Sequence, residues 1–371
     1  MHLSPFFLLL ASARLPISRA WGAAGHEIVA TIAQIHLHPT VLPTVCDILN
    51  FTSTNPDKPQ CHLAPIAAWA DRIRYRMPWS GPLHYIGGVG DHPPDHCKFP
   101  GSRGWEGHSM LNVLGAVRNT TGLLEQYVHG ESSITTANEA LKFLVHFVGD
   151  MHMPLHLTGR DRGGNSDKVK FGGRTTNLHA VWDNFLVAKA IRETPRNYSA
   201  PLPSHQIEFA LRGTIYDPYV RRIMWEGILS QWSSDLSGWL ACPTLVASPS
   251  IWQKVLSAFT FDPSDTDDNT LCPYHWAQPI HALNCELVWP PELDEPPYNE
   301  EDCMLRGPPH PLLQLDTPKY AGVIKDDLVV EKLLAQAGIR LAAVLNWLFA
   351  DDGDDFAGAR KLRTPKVAID M

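Results

Sequence analysis

The chain has no surplus of positive charge: 31 Lys and Arg stand against 39 Asp and Glu, a formal charge of −8. That shortfall argues against electrostatic, sequence-independent binding to long duplex nucleic acid, which needs a basic face. It leaves room for an enzyme that grips one or two nucleotides through metal ions. Long apolar runs are also missing, and past the N-terminus nothing approaches the ~20 residues of a membrane span. The seven cysteines, Cys46, Cys61, Cys97, Cys242, Cys272, Cys285 and Cys303, include no Cys-x-x-Cys pair. They read as disulfide partners rather than zinc ligands, with one left free or paired outside the chain. Strand-like alternation is scarce and no internal repeat is visible, which disfavours sandwiches, barrels and solenoids. What remains is an ordinary globular composition, 371 residues of which 44% are hydrophobic, enough for a large core.

Residues Phe6 to Ala13 form a short apolar stretch followed by Ser18-Arg19-Ala20, which reads as a secretory signal peptide cut after Ala20. Arg14 interrupts the apolar region, and His2 is the lone n-region charge. Removing residues 1–20 takes away Arg14 and Arg19 and moves the charge from −8 to −10. Acceptor sequons at Asn50, Asn119 and Asn197 fit a secreted glycoprotein.

Apolar residues recur at helical spacing over Ala24–Leu37, Ala64–Ile73, Met110–Val117, Thr135–Met151, Asn177–Arg192, Ser204–Leu211, Val220–Leu240 and Leu328–Phe349. Between them lie Gly-, Pro- and Asp-rich loops at 87–104, 159–174, 263–272 and 288–318. The expected fold is mainly α, a single domain over residues 21–350 with long functional loops and a polar tail at 351–371.

The chemistry is concentrated between residues 146 and 183. His146/Asp150 and His179/Asp183 are two His-x-x-x-Asp pairs, and His156 lies between them. On a helix, residues four apart face the same way, so each pair can offer an imidazole and a carboxylate to one cation. Nitrogen and oxygen donors together suit zinc. Pro154 ends the first of these helices, and a turn there aims His156 at a neighbouring cation. Asn177 is placed to cap the second. Asp71 closes an apolar helical stretch and His84 sits inside the apolar run Leu83-His84-Tyr85-Ile86, so both join the candidate ligands. If the chain is cut after Ala20, Trp21 gains a free α-amino group close in sequence to His26.

These motifs resemble the S-one/P-one nuclease family, the secreted zinc-dependent single-strand nucleases and 3′-nucleotidases of fungi and plants. The matching segments are Trp21-Gly-x-x-Gly-His26, Trp69-Ala-Asp71, His84-Tyr85 and His146-x-x-Gly-Asp150-x-His-x-Pro-Leu-His156. Gly163-Gly-Asn165 and Asn177-Leu-His179-x-x-Trp-Asp183 follow, with a weaker match at Gly338-Ile-Arg-Leu-Ala-x-x-Leu-Asn346. The resemblance implies a helical fold of the phospholipase C/nuclease type around a cleft holding three zinc ions. Asp71, His84, His146 and Asp150 would hold the first, and His156, His179 and Asp183 the second. Trp21, through its amino and carbonyl groups, His26 and a bridging Asp150 would hold the third. His152 is left without a metal, to hydrogen-bond or pack. The implied reaction is hydrolysis of single-stranded DNA and RNA to 5′-phosphate products by zinc-activated hydroxide, with 3′-nucleotidase activity. Asp71 would orient or deprotonate the nucleophile, Arg74 stabilise the phosphorane-like charge, Asn165 hold the nucleotide and Tyr85 stack a nucleobase. The substrates would be single-stranded nucleic acid and 3′-nucleotides, met outside the cell by a monomer with no stable protein partner.

Two departures bear on substrate binding and the ligand shell. Gly87 stands where the family usually carries an Asp that helps bind the base, and Met153 replaces a Gln before Pro154. The resemblance also implies a disulfide from Cys97 to Cys285 or Cys272. Two rival readings remain: a zinc-dependent phospholipase C, which typically carries Glu at the position of Asp183, and a secreted effector with a decayed site on the same scaffold.

Overall fold

The helix Ala23–Ile35 is apolar on nearly every side, and Ile28, Val29, Ile32, Ala33 and Ile35 are all buried. Such a segment belongs at the centre of a helical packing rather than on its surface. It crosses the long C-terminal helix Val329–Phe349 at very short range. A Cβ on Gly338 would lie 2.5 Å from Ile32 Cγ2, so the crossing requires glycine there. Asn346 ties off the end of the first helix, its Nδ2 donating to His36 O at 2.9 Å and its Oδ1 accepting from His38 N at 2.7 Å.

The computed structural model describes residues 21–100, 104–243, 266–299 and 311–350, with 362 and 367. The expected signal peptide at 1–20, Cys303 and nearly all of the expected tail lie outside the described residues. Among those residues the architecture is mainly helical, as the periodicity predicts, and its sheet is a single hairpin. No helix in them is long and apolar enough to cross a membrane.

The central helix Ile134–Asp150 starts at Ser133, whose hydroxyl accepts from Thr136 N at 3.1 Å. It packs against Val113–Val128, which begins later and runs further than the periodicity suggested. Asn112 caps the latter helix, accepting from Leu114 N and Gly115 N. The polar Thr120-Thr121 pair does not break it, because both hydroxyls bond carbonyls one turn back at 2.8 Å.

Three other segments differ from the sequence reading. The stretch 64–73 divides into Ala64–Ala67 and Trp69–Ile73 at Ala68. The loop expected at 159–174 contains strand β1, Lys168–Phe171, which pairs antiparallel with β2, Arg174–Asn177. Gly172 and Gly173, with φ of 56° and 77°, make the two-residue turn between them. Only Val169 and Phe171 of β1 face the core, too short an alternation to stand out in sequence. The stretch 220–240 likewise divides into the end of helix Asp217–Arg222, a π-helical segment, Ile223–Gln231, a turn and a short helix, Leu236–Leu240. Helices Val41–Leu49 and Pro273–Leu283 carry internal prolines, Pro43 and Pro279, which interrupt the helical pattern in the sequence.

The described cysteines pair as Cys46–Cys61, Cys97–Cys285 and Cys242–Cys272. Of the two partners the resemblance allowed Cys97, Cys285 is the one it has. The three sequon asparagines, Asn50, Asn119 and Asn197, are exposed.

Candidate metal centre

The break at Ala68 has a use. It turns Ala67 O towards His146, whose Nδ1–H donates to it at 2.7 Å. That bond fixes the ring and leaves Nε2 with a free lone pair. The same device recurs in the neighbouring ligands. His156 Nδ1–H donates to His84 O at 2.6 Å and His179 Nδ1–H to Gly163 O at 2.7 Å, so Nε2 of each points inward. Asp183 sits in a π-helical turn, Val181–Leu186, rather than a regular α turn. There Val187 N–H goes to Asn184 O, and Asp183 O instead accepts Gly22 N–H at 2.9 Å. The wide turn therefore docks the N-terminal segment beside the site.

Asp150 is the hub. Its Oδ2 lies 2.9 Å from His84 Nδ1 and 3.3 Å from His146 Nε2, while Oδ1 lies 3.3 Å from His26 Nε2. Asp71 Oδ1 stands 3.8 Å from His146 Nε2 and 4.0 Å from His84 Nδ1. His179 Nε2 is 3.2 Å from Asp183 Oδ2, and the His156 and His179 rings stack at 5.1 Å. The His26 ring stacks on His146 at 3.9 Å. A Cβ on Gly149 would come within 2.5 Å of His26 Nδ1, so that packing depends on glycine one residue before Asp150.

Three donor groups result, each with its ligand atoms within 4.8 Å of one another: His26/Asp71/His146, His84/His146/Asp150 and His156/His179/Asp183. Burial, reinforced by neighbouring imidazoles, holds His26, His84 and His156 well below the ordinary histidine range. Burial pushes His146 down to about 3. It also raises Asp150 well above the carboxylate range and, aided by Asp71, lifts Asp183 to about 6 despite His179 beside it. Neutral imidazoles and carboxylates that are costly to ionise make a site short of positive charge. Buried His26 Nε2, His156 Nε2, Asp150 Oδ1 and Asp183 Oδ1 have no hydrogen-bond donor or acceptor to satisfy them. Orphaned lone pairs converging on one region are what bound cations would satisfy, so the residues fit a metal cluster.

The other candidates lie around this cluster. Trp21 is fully buried, directly before the Gly22 bond to Asp183. Arg74 Nη1 stands 3.8 Å from Asp71 Oδ1. Tyr85 follows His84 and is 51% exposed. Asn165 Nδ2 donates to Arg162 O at 2.8 Å in the turn after the Gly163 carbonyl that orients His179. His152 stays out of the cluster, donating from Nδ1 to Val148 O and accepting at Nε2 from Arg340 Nη1 at 2.7 Å.

Sequence reasoning did not anticipate a buried Asp91–His281 pair at 3.1 Å, to which Thr158 adds a hydrogen bond. Cys97 lies beside it, but its sulfur is committed to Cys285. Nor did it single out Glu106, whose carboxylate packs against Gly87 and Gly159. No local pattern marks either, since their partners are remote in sequence.

Comparison with known proteins finds nuclease relatives. Endonuclease 2 of Arabidopsis thaliana is 32% identical over 243 residues, 64% of this chain and 74% of the relative. Endonuclease 1 of the same plant is 28% identical over 341 residues, 90% of this chain and 88% of its own. Nuclease P1 of Penicillium citrinum is 38% identical over 175 residues, 46% of this chain and 60% of the relative. The model of the S1/P1 Nuclease family matches residues 21–350. The chain belongs to the S1/P1 nuclease family.

Proposed function

We propose that the protein is a secreted, zinc-dependent endonuclease that hydrolyses phosphodiester bonds of single-stranded DNA and RNA to 5′-phosphate products and also removes 3′-phosphates from nucleotides. The observation that carries this reading is the position of Asp150, whose two oxygens face His26 on one side and His84 and His146 on the other. A carboxylate so placed suits a bridge between ions, and the donor set suits zinc.

Asp71, His84, His146 and Asp150 would hold one zinc, His156, His179 and Asp183 a second, and His26, Asp150 and the amino and carbonyl groups of Trp21 a third. Such ions lower the pKa of water and neutralise charge on a phosphate. The protein's own groups do the rest. Asp71, beside His146 Nε2 and His84 Nδ1, orients the attacking water and takes its proton. Arg74, beside Asp71, stabilises negative charge building on the phosphate oxygens. Asn165 holds the nucleotide next to the scissile bond, and Tyr85 offers its ring to a base. Cleavage after Ala20 would create the Trp21 amine, so the third zinc could enter only the processed chain.

The test is elemental analysis of the purified, processed protein together with assay on single-stranded DNA, RNA, duplex DNA, 3′-mononucleotides and phosphatidylcholine. Three zincs per chain and preference for the single strands are expected. Release of phosphocholine without attack on nucleic acid would overturn the reading in favour of a phospholipase.

A further inference from the structure

The segment after the metal-centre histidine His84 carries a second device. Tyr85 is extended, with φ −150° and ψ 172°, and exposure alternates from buried His84 to exposed Tyr85 to buried Ile86. In extended chain, side-chain positions two apart share a face, so position 87 falls on the Tyr85 side, although Gly87 is buried rather than exposed. Position 87 is a glycine, and its side-chain space is already taken. A Cβ there would lie 2.9 Å from Glu106 Oε2 and 2.8 Å from Gly159 N. A Cβ on Gly159 would overlap the same carboxylate.

Glu106 is held against this slot by its own backbone, its N–H donating to Gly87 O at 2.7 Å. Gly159, three residues after His156, forms the opposite wall. Burial and the like charge of Asp91 raise the Glu106 carboxyl above its ordinary range. Two glycines therefore make room for a carboxylate on the face that carries an exposed aromatic ring, one residue from the metal centre.

We propose that Glu106 supplies the hydrogen-bond acceptor for the base that Tyr85 stacks on, which makes Glu106 a specificity-determining residue. This rests on the nuclease reading above. A carboxylate has acceptors only, so it selects bases by the donors they present. Guanine offers N1–H and N2–H side by side, a match for both carboxylate oxygens. Adenine and cytosine each offer one amino group on that edge. Uracil and thymine offer a lone N3–H between two carbonyl oxygens, which face a carboxylate unfavourably. The subsite therefore prefers guanine and disfavours uracil and thymine.

The test uses the zinc-loaded protein on four dinucleotides, GpU, ApU, CpU and UpU. Wild type should show its highest kcat/KM on GpU and its lowest on UpU. In Glu106→Gln the ratio of GpU to UpU should fall about tenfold, since a bidentate base contact typically discriminates by at least that factor, and the change should appear in KM. Gly159→Ala provides a second arm: it keeps Glu106 but drives its carboxylate out of the slot, and should flatten the preference in the same way. Equal rates on all four by wild type, or a preference that survives both variants, would overturn the proposal and leave the nuclease reading standing. Failure of wild type to cleave any of them would remove both.

Discussion

Asp150 Oδ1 and His26 Nε2 stand 3.3 Å apart, both fully buried, on two helices that meet only in the folded chain. Neither atom has a hydrogen-bond partner, and burial disfavours charge on both. A cation between them would reverse that cost, so the pair joins the N-terminal helix to the remaining ligands.

Replacing Asp150 should therefore do more than replacing Asp71. Asp150→Asn is expected to lose most of the bound metal and at least about a thousandfold in kcat/KM, as removal of a charge-stabilising group does. Asp71→Asn is expected to keep much of its metal while losing turnover. Metal content by mass spectrometry, measured beside single-strand hydrolysis, separates the two; equal metal loss in both would contradict the hub role.

Gly149→Ala tests the packing behind His26. The added methyl would press on the ring at 2.5 Å from Nδ1. Overpacking of this kind costs about 1–3 kcal/mol and displaces the weaker side. The variant should lose the ion held by His26 first and retain the one held by His156, His179 and Asp183. A variant with full metal content and unchanged activity would show that His26 has room to move.

Chelation should unfold the protein more readily. Metal held by this donor set would bind only the native state, so zinc in excess would stabilise by mass action, about 4 kcal/mol at a thousandfold excess over Kd. Scanning calorimetry with and without chelator is expected to show a lowered Tm. An unchanged Tm would argue against a metal cluster at this site.

His36 supplies a pH dependence separate from the metal site. It is buried, its Nδ1–H donates to Ile32 O at 2.7 Å, and burial lowers its pKa from 6.5 to about 4. Because the folded value is the lower one, the contribution is fully present above pH 6.5 and is lost as pH falls towards 4. The amount is about 3 kcal/mol. The stability difference between wild type and His36→Phe in urea unfolding should shrink by about 3 kcal/mol as pH falls across this range; a constant difference would refute it.

Arg340 offers a purely structural prediction. Its guanidinium is buried, donates to Trp239 O and His152 Nε2, and lies over the Trp276 ring at 5.2 Å. Burial alone lowers its pKa to about 9. Arg340→Ala would strand these acceptors and is expected to cost about 2–5 kcal/mol, read by chemical denaturation.

Much of the helical frame was legible in the sequence because helical packing writes its period into the chain. Ile28, Val29 and Ile32 face inward at the spacing the sequence shows, whereas the central helix stops at Asp150, ahead of Pro154, which instead opens the short 3-10 helix Pro154–Leu157. The short hairpin was not legible, since two inward residues in four do not make a pattern. Neither was the break at Ala68. Nothing in Ala-Ala-Trp-Ala forbids a continuous helix, and the carbonyl it frees has its acceptor role only once His146 arrives.

The sequence by itself determined which donors exist, and on which helical faces they fall, because residue type and a fixed period decide that locally. Tertiary structure alone decided that Asp150 looks both ways, that Cys97 pairs with Cys285, and that Glu106 fills the space at Gly87. Each is a contact between residues far apart in the chain. Such contacts follow from how the helices close on one another, which no local spacing encodes.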